Sequence, residues 1–251
     1  TIAWLEEKSG LPVIDHWWQT ELGWPAIATC FALGDLRRKR GSAGFPVPGY
    51  EFAVLDEAGV PVPHGQSGAV AIKAPLAPGA FRTLWNNPAG FEKNFATYPG
   101  WYETGDAGHF DEEGFLNIMG RTDDIINVAG HRLSTGQMEQ IVASTDGVAE
   151  CAVIGADDAI KGMIPVAFVV ARAGVNDEAA LHDAVIAAVR HELGAVAALK
   201  TAYMVPQLPK TRSGKILRNL LRKIVNGEEF TTPPTIEDPA VPDMLLKAVR
   251  G

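Results

Sequence analysis

Cysteine is scarce in this chain of 251 residues, and long apolar runs are missing altogether. Only Cys30 and Cys151 occur, in no metal or redox spacing, so we expect two unpaired thiols in a reducing compartment. No stretch approaches the roughly 20 apolar residues of a membrane-spanning helix. The first residues also lack the basic start and apolar core of a secretory signal. We therefore expect a cytoplasmic protein with no membrane partner. Because the chain opens without Met, we also expect a missing upstream portion.

Positive charge is the minority: 22 Lys and Arg stand against 30 Asp and Glu, for a net charge of −8. Proteins that bind nucleic acid use dense Lys and Arg to neutralise the phosphate backbone. Because this chain is acidic, we expect no nucleic-acid partner. The one dense basic run, Arg37 to Arg40, is typical of a solvated loop. The six His residues include no pair at ligand spacing, which argues against a metal site built from His.

Short apolar segments separated by turn signals fill residues 50–120. They predict strands at 51–55, 69–73 and 115–119, in an antiparallel sheet or small barrel. After about residue 123 strands and helices alternate, with strands expected at 151–154, 166–171 and 201–205. The sequence thus predicts a β-rich unit, a junction near 120–125 and a compact α+β unit.

Two helices are predicted in the second unit. Leu181, Val185, Val189 and Leu193 recur every four residues and define one face of a helix over 178–193. A last helix is expected to begin near Ile216 and to end at Gly227. The Pro-rich tail after Phe230 is expected to wrap the surface.

Adjacent tryptophans mark the first segment of chemical interest, which runs from Asp15 to Glu21. Such a pair is more often a buried aromatic cluster than a binding site, because aromatic rings contribute large buried areas. The alternative interpretation is a wall for a flat ring, with Thr20 and Glu21 directed at a phosphate and its cation.

The second segment combines residues 102–106 with residues 120–124. Asp106 follows a glycine, and an Asp in that position is usually a turn residue bonded to its own backbone. Its two acceptor oxygens also suit a vicinal pair of ribose hydroxyls, and Arg121 can donate several fixed hydrogen bonds to the same sugar or to phosphate.

The third segment, residues 208–215, ends in Gly214 and Lys215. It is not a P-loop, because Pro209 stands where the first glycine belongs and Ile216 replaces the Ser or Thr. Either it is a basic exposed turn, or it is a flexible loop that presents Lys215 as a movable charge to an anion.

Taken together and in this order, the segments resemble the adenylate-forming superfamily, and specifically its acetyl- and propionyl-CoA synthetases. The resemblance extends through about residue 226 and rests on residues 17–21, 102–106, 120–124, 130–132 and 209–215. It implies a multidomain α+β and α/β fold. Residues 1–122 would be the end of the large nucleotide- and acyl-binding domain, including a β-rich subdomain. Residues 123–251 would be the small mobile C-terminal domain.

The resemblance also implies ATP, Mg²⁺ and CoA as ligands and assigns residue roles. Trp17 and Gln19 would lie near adenine, and Trp18 would close the pocket of a short acyl chain. Glu21 would hold Mg²⁺, and Asp123 would be the hinge. The remaining nucleotide contacts would come from Asp15, Thr20, Asp106, Arg121 and Arg132. Lys215, Arg132 and Thr20 would act in catalysis, and Ala129, Gly130 and Arg190 would meet CoA.

The implied reaction joins propionate or acetate to CoA through an acyl-adenylate, with release of AMP and pyrophosphate. The Trp24–Pro25 pair slightly favours propionate. The superfamily's Gly/Ser/Thr-rich phosphate loop has no counterpart here, so we expect the 251 residues alone not to form acyl-adenylate. Two alternatives stay open: a noncatalytic AMP-binding module, and another adenylating enzyme such as a peptide-synthetase domain. The resemblance further implies control by a lysine acyltransferase and deacylase acting on Lys215.

Overall fold

The computed structural model describes residues 2–34 and 37–250, which form two compact units divided between Asp123 and Asp124. The helices are α1 (Ile2–Ser9), α2 (Pro88–Lys93), α3 (Thr135–Ser144), α4 (Glu178–Leu193), α5 (Arg218–Asn226) and α6 (Val241–Arg250). Within the described ranges, no helix has the length and apolar character needed to cross a membrane.

Twelve strands are found in the described part of the chain, and they form three sheets. In the first unit they are β1 (His16–Trp17), β2 (Ile27–Ala28), β3 (Phe45–Pro46), β4 (Phe52–Leu55), β5 (Gly68–Lys73), β6 (Trp101–Phe110) and β7 (Leu116–Arg121). In the second unit they are β8 (Ile126–Val128), β9 (His131–Leu133), β10 (Val148–Asp158), β11 (Gly162–Ala171) and β12 (Thr201–Met204).

The first unit contains a small sheet in the order β1-β2-β3 and an antiparallel sheet in the order β4-β5-β6-β7. The three strands predicted at 51–55, 69–73 and 115–119 are confirmed as β4, β5 and β7. The long strand β6 was not predicted, because its glycines and polar residues hide the alternation of its buried side. The apolar core of this sheet includes Val54, Val70 and Leu116.

In the second unit, β10 and β11 form an antiparallel pair, and β12 lies parallel to β11. Alternate residues of β10 face opposite sides of the sheet. Val153 packs with the core of α3 and α4, whereas Ala152 and Ile154 pack with that of α5 and α6. Burial on both faces explains why these strands read as nearly continuous apolar runs.

The helix predicted over 178–193 is confirmed as α4, which buries Leu181, Val185 and Val189. Asp177 caps it by accepting a hydrogen bond from the N–H of Ala180. The prediction for the end of the chain is partly wrong. The helix expected to begin near Ile216 is confirmed as α5, which starts at Arg218 and ends at Asn226 with Gly227 as its C-cap, but it is not the last helix, because α6 follows.

The tail after Phe230 does not simply wrap the surface. It contains α6. Leu245 of α6 and Ile236 are buried in the core between the sheet and helices α5 and α6, which is called the second core below. The basic run, Arg37 to Arg40, is exposed and lies outside the helices and strands, as expected of a solvated loop, and three of its residues make surface ion pairs. Arg38 and Arg40 both pair with Glu6, and Lys39 pairs with the acidic turn at residues 111–113.

Candidate nucleotide site and catalytic lysine

Asp106 is a buried carboxylate inside a strand. It lies within β6, is 7% exposed and pairs across the sheet with Arg121 of β7. The interpretation of Asp106 as a turn residue is therefore wrong. The preceding Gly105 has φ +71° within the strand, a conformation that glycine adopts without steric cost.

Gln19 joins the segment around the tryptophans to this strand. Its side-chain amide donates to the carbonyl of Thr104 at 2.7 Å and to Oδ2 of Asp106 at 3.1 Å. Its Oε1 accepts a hydrogen bond of 3.0 Å from the hydroxyl of Tyr102. The next residues form a short 3-10 helix, Thr20–Leu22, whose Leu22 is fully buried. The 3-10 helix thus anchors Gln19, and three hydrogen bonds fix its amide.

Arg121 completes the cluster from the exposed side. Its Nη1 donates to the carbonyl of Thr104 at 3.0 Å and lies 3.6 Å from Oδ1 of Asp106. A Cβ built on Gly105 would collide with this guanidinium. The positive φ therefore favours glycine at residue 105, and a side chain there would also displace the flexible Arg121 guanidinium from its position beside Asp106.

Burial dominates the electrostatics of Asp106 and raises the pKa of its carboxyl group above the ordinary value. The guanidinium of Arg121 and hydrogen bonds from Trp17 and Gln19 act in the opposite direction. Burial also raises the pKa of the Tyr102 hydroxyl, reinforced by the nearby charges of Glu21 and Asp106, so this group stays protonated and donates to Gln19. The site thus combines the buried carboxylate of Asp106, a hydrogen-bond acceptor, with the half-exposed guanidinium of Arg121, a donor. This pair of groups is suited to binding vicinal hydroxyls.

The two adjacent tryptophans have different environments. Trp17 is half-buried, and its ring meets Phe52 edge-on at 5.8 Å between centroids. Trp18 is 54% exposed. The interpretation as a buried aromatic cluster therefore describes Trp17 but not Trp18. Thr20 is exposed and Glu21 half-buried in the same 3-10 helix.

Asp15 lies apart from this cluster. Its Oδ1 accepts the backbone N–H of His16 at 2.8 Å. It lines a separate cavity of about 190 Å³ whose wall includes Glu6, Thr29 and Arg38.

In the second unit, Ala129 and Gly130 form the two-residue turn between β8 and β9. Both have positive φ, +49° and +88°, as a tight hairpin turn of this length requires. Arg132 is exposed on β9. Arg190 is exposed on another element, the last turn of α4.

Lys215 is exposed at the end of a hairpin turn that precedes α5. The N–H and the carbonyl of Lys215 are both hydrogen-bonded to Thr211, so the backbone of this turn forms a hairpin, while the flexibility of the loop stays a prediction. Sequence analysis overlooked Thr211 and two ion pairs nearby, Lys210 with Glu150 and Arg218 with Glu139. No periodicity or spacing in the sequence indicates these long-range pairs.

Two family models match the chain. An AMP-binding enzyme model matches residues 1–85, and an AMP-binding enzyme C-terminal domain model matches residues 137–215. The chain belongs to the adenylate-forming superfamily of AMP-binding enzymes.

Among curated proteins, the chain is 46% identical to acyl-CoA synthetase short-chain family member 3, mitochondrial, from Mus musculus, over 96% of this chain and 36% of that protein. It is 40% identical to a propionate–CoA ligase from Salmonella typhimurium, over 100% of this chain and 41% of the ligase. The chain thus spans about two fifths of the length of these relatives.

Among solved structures, ATP-bound MatB from Rhodopseudomonas palustris is similar, with a TM-score of 0.74 and 27% identity over 90% of this chain and 43% of that one. The predicted mixed α+β fold of an adenylate-forming enzyme is therefore confirmed.

Proposed function

We propose that this chain supplies the hinge, the catalytic lysine and part of the nucleotide site of an AMP-forming short-chain acyl-CoA synthetase. The observation that carries the proposal is the cluster of Gln19, Asp106 and Arg121. The Gln19 amide and the half-exposed Arg121 guanidinium both donate to the carbonyl of Thr104, and both lie against the buried carboxylate of Asp106. In this function Asp106 and Arg121 bind the ribose hydroxyls, and Trp17 and Gln19 border the adenine.

The chemistry of acid activation fits the charges that the chain offers. A carboxylic acid is already ionised near pH 7, so its attack on the α-phosphate needs no general base. The step needs positive charge against the repulsion of two anions and against the charge that develops on pyrophosphate. Lys215 and Arg132 supply that charge, and Thr20 donates a hydrogen bond to the α-phosphate.

Mg²⁺ would be held by Glu21. The described residues contain no group of three potential metal ligands, so no cage made only of protein side chains is present in that part of the chain. One carboxylate is nevertheless enough, because Mg²⁺ in nucleotide sites takes most of its ligands from phosphates and water. When bound, the ion neutralises phosphate charge.

The second half-reaction transfers the acyl group from the adenylate to the thiol of CoA, and AMP leaves. For this step we assign the hairpin turn of Ala129 and Gly130, together with Arg190, to CoA binding. Asp123 is the hinge that lets residues 123–251 present Lys215 in the first step and the CoA-binding surface in the second.

The substrate is a short acid, and we favour propionate over acetate. Trp18 closes the end of the acyl pocket, because an indole ring occupies the space that a longer tail would need. The similarity to a propionate–CoA ligase supports this choice.

The decisive experiment measures carboxylate-dependent ATP–pyrophosphate exchange with acetate, propionate and butyrate. We expect exchange in a protein of the relatives' length that contains this chain, and none in the 251 residues alone. Lys215→Ala should abolish exchange yet largely spare thioester synthesis from a supplied acyl-adenylate. Exchange by the isolated chain, or equal loss of both steps, would refute these assignments.

A noncatalytic AMP-binding module is the second candidate, because the Gln19, Asp106 and Arg121 cluster lies wholly within residues 2–123. Calorimetric titration of the chain with AMP, compared with its Asp106→Asn variant, tests this binding. This candidate would be favoured over the synthetase by two results together. The chain would bind AMP and lose this binding in Asp106→Asn, and the longer protein would show no ATP–pyrophosphate exchange.

We further propose that reversible acylation regulates Lys215, since its side chain is exposed and acylation removes its charge. Mass spectrometry would detect the modification. A longer protein that is fully acylated at Lys215 and retains its exchange activity would contradict this regulation.

A further inference from the structure

The segment from Pro209 to Leu217 is a closed hairpin. The carbonyl of Thr211 accepts the N–H of Gly214 at 2.8 Å, and Leu217 donates to the carbonyl of Pro209 at 2.8 Å. Gly214, with φ +82°, ends a three-residue connection of the kind that uses glycine in this position. The backbone therefore has a defined conformation at Lys215.

Thr211 holds Lys215 from both sides of its backbone. The N–H of Thr211 donates to the carbonyl of Lys215 at 2.8 Å, and Oγ1 of Thr211 accepts the N–H of Lys215 at 3.1 Å. The same hydroxyl lies 3.0 Å from Oγ of Ser213. Because threonine is branched at Cβ, few rotamers are open to its hydroxyl.

The other edge of the hairpin is bound to the tail of the chain. Arg212 donates its N–H to the carbonyl of Thr235 at 3.2 Å, and Glu237 donates to that of Lys210 at 2.8 Å. Ile236, between these two tail residues, is 4% exposed in the second core. The tail thus binds the first strand of the hairpin, at Lys210 and Arg212. The hydroxyl of Thr211 bonds across the hairpin to Lys215 on the second strand.

The ammonium group of Lys210 fixes the base of the hairpin by lying 2.7 Å from both carboxylate oxygens of Glu150. Hydrogen bonds thus hold the backbone around Lys215, whereas its side chain is exposed. The direction of its Cα–Cβ bond then decides where the exposed ammonium group can reach.

From this geometry we infer that Thr211 is a positioning residue for Lys215, acting through the hydrogen bond that its Oγ1 accepts. The consequence for adenylation rests on the proposed function of Lys215. The hydrogen bond itself can be tested without that function, in the 251-residue chain.

The first experiment measures hydrogen exchange of the Lys215 amide by NMR. Thr211→Val removes the hydroxyl at nearly constant shape, and loss of one hydrogen bond should reduce protection about fivefold. Thr211→Ser should restore protection, and Ser213→Ala, which leaves the bond to Lys215 intact, is the matched control. Amides of β10 and β11 report whether the fold persists. Unchanged protection in Thr211→Val would overturn the inference.

The second experiment uses a protein of the relatives' length. Thr211→Val should lower kcat for ATP–pyrophosphate exchange about tenfold with little change in KM for ATP, because misplacement of a catalytic group slows chemistry more than binding. Thioester synthesis from supplied acyl-adenylate should be unchanged, and Thr211→Ser should recover exchange. An equal fall in both half-reactions would indicate a merely structural role and overturn the proposal. If the parent protein shows no exchange with any acid, the proposed function fails, while the amide measurement still decides the positioning of Lys215.

Discussion

At the scale of single residues, the conformation of Asp106 depends on partners far away in the sequence. Gln19 is 87 positions distant, yet its amide donates to the Asp106 carboxylate. Arg121 lies opposite Asp106 on the neighbouring strand, and its guanidinium occupies the space that a side chain at residue 105 would fill. The sequence motifs predict that Gln19, Asp106 and Arg121 belong to one site. They do not predict that the Gln19 amide and the Arg121 guanidinium both lie against the Asp106 carboxylate.

The pKa of Asp106 gives a prediction at this scale. It should lie above the ordinary aspartate value, and Arg121→Gln should raise it further, because a cation that favours the carboxylate is lost. Titration of the Asp106 side-chain carbon by NMR measures both values. Lys73→Gln removes an exposed cation of the same sheet that pairs with Glu51, and it should leave the value unchanged. A lower value in Arg121→Gln would contradict this account.

The same pKa shift predicts how Asp106 affects stability as pH changes. Because the folded-state pKa is raised, the contribution of Asp106 to stability is greatest below the ordinary aspartate pKa and falls as pH rises through the folded value. Asp106→Asn should remove this pH-dependent part. Urea unfolding of the chain and of the variant at several pH values in the acid range provides the measurement. An identical pH dependence in the two proteins would refute the prediction.

At the scale of elements, the tail of the chain is part of the second core. Its prolines and polar residues suggest a surface segment, but Val241 and Leu245 of α6 are buried beside α5. Four apolar residues of α6, at 241, 244, 245 and 249, follow helical spacing, a signal that the short length of the segment makes easy to overlook.

A core substitution tests the role of α6. Leu245→Ala should cost about 2–5 kcal/mol of unfolding free energy, the usual loss for a large side chain that is fully buried. Ile160→Ala, at a position that is 93% exposed, is the control and should change stability little. Urea denaturation followed by circular dichroism measures both. A loss in Leu245→Ala no greater than that of the control would show that α6 does not belong to the core.

At the scale of the whole molecule, each unit has apolar clusters of its own. The clusters around Leu116 and Ile72 consist of residues before 123, and those around Val185 and Leu221 consist of residues after 124. Separate cores are a physical basis for separate cooperative units.

Calorimetry of the chain should therefore resolve two unfolding transitions. Leu116→Ala should lower the midpoint of one transition and Leu245→Ala that of the other, since both side chains are fully buried in different cores. A single transition that shifts with either substitution would contradict this prediction.

The sequence by itself determined the family, the main strands and α4, because these depend on motif identity and on local periodicity. Apolar spacing of four residues defines a helix wherever its face is buried, and continuous apolar runs define strands that are covered on both sides. The tertiary structure alone decided that Asp106 lies within a strand, that Gln19 and Arg121 flank it, and that Thr211 and the tail hold the hairpin of Lys215. These features arise from hydrogen bonds and packing between residues far apart in the chain, and local spacing carries no information about such pairs.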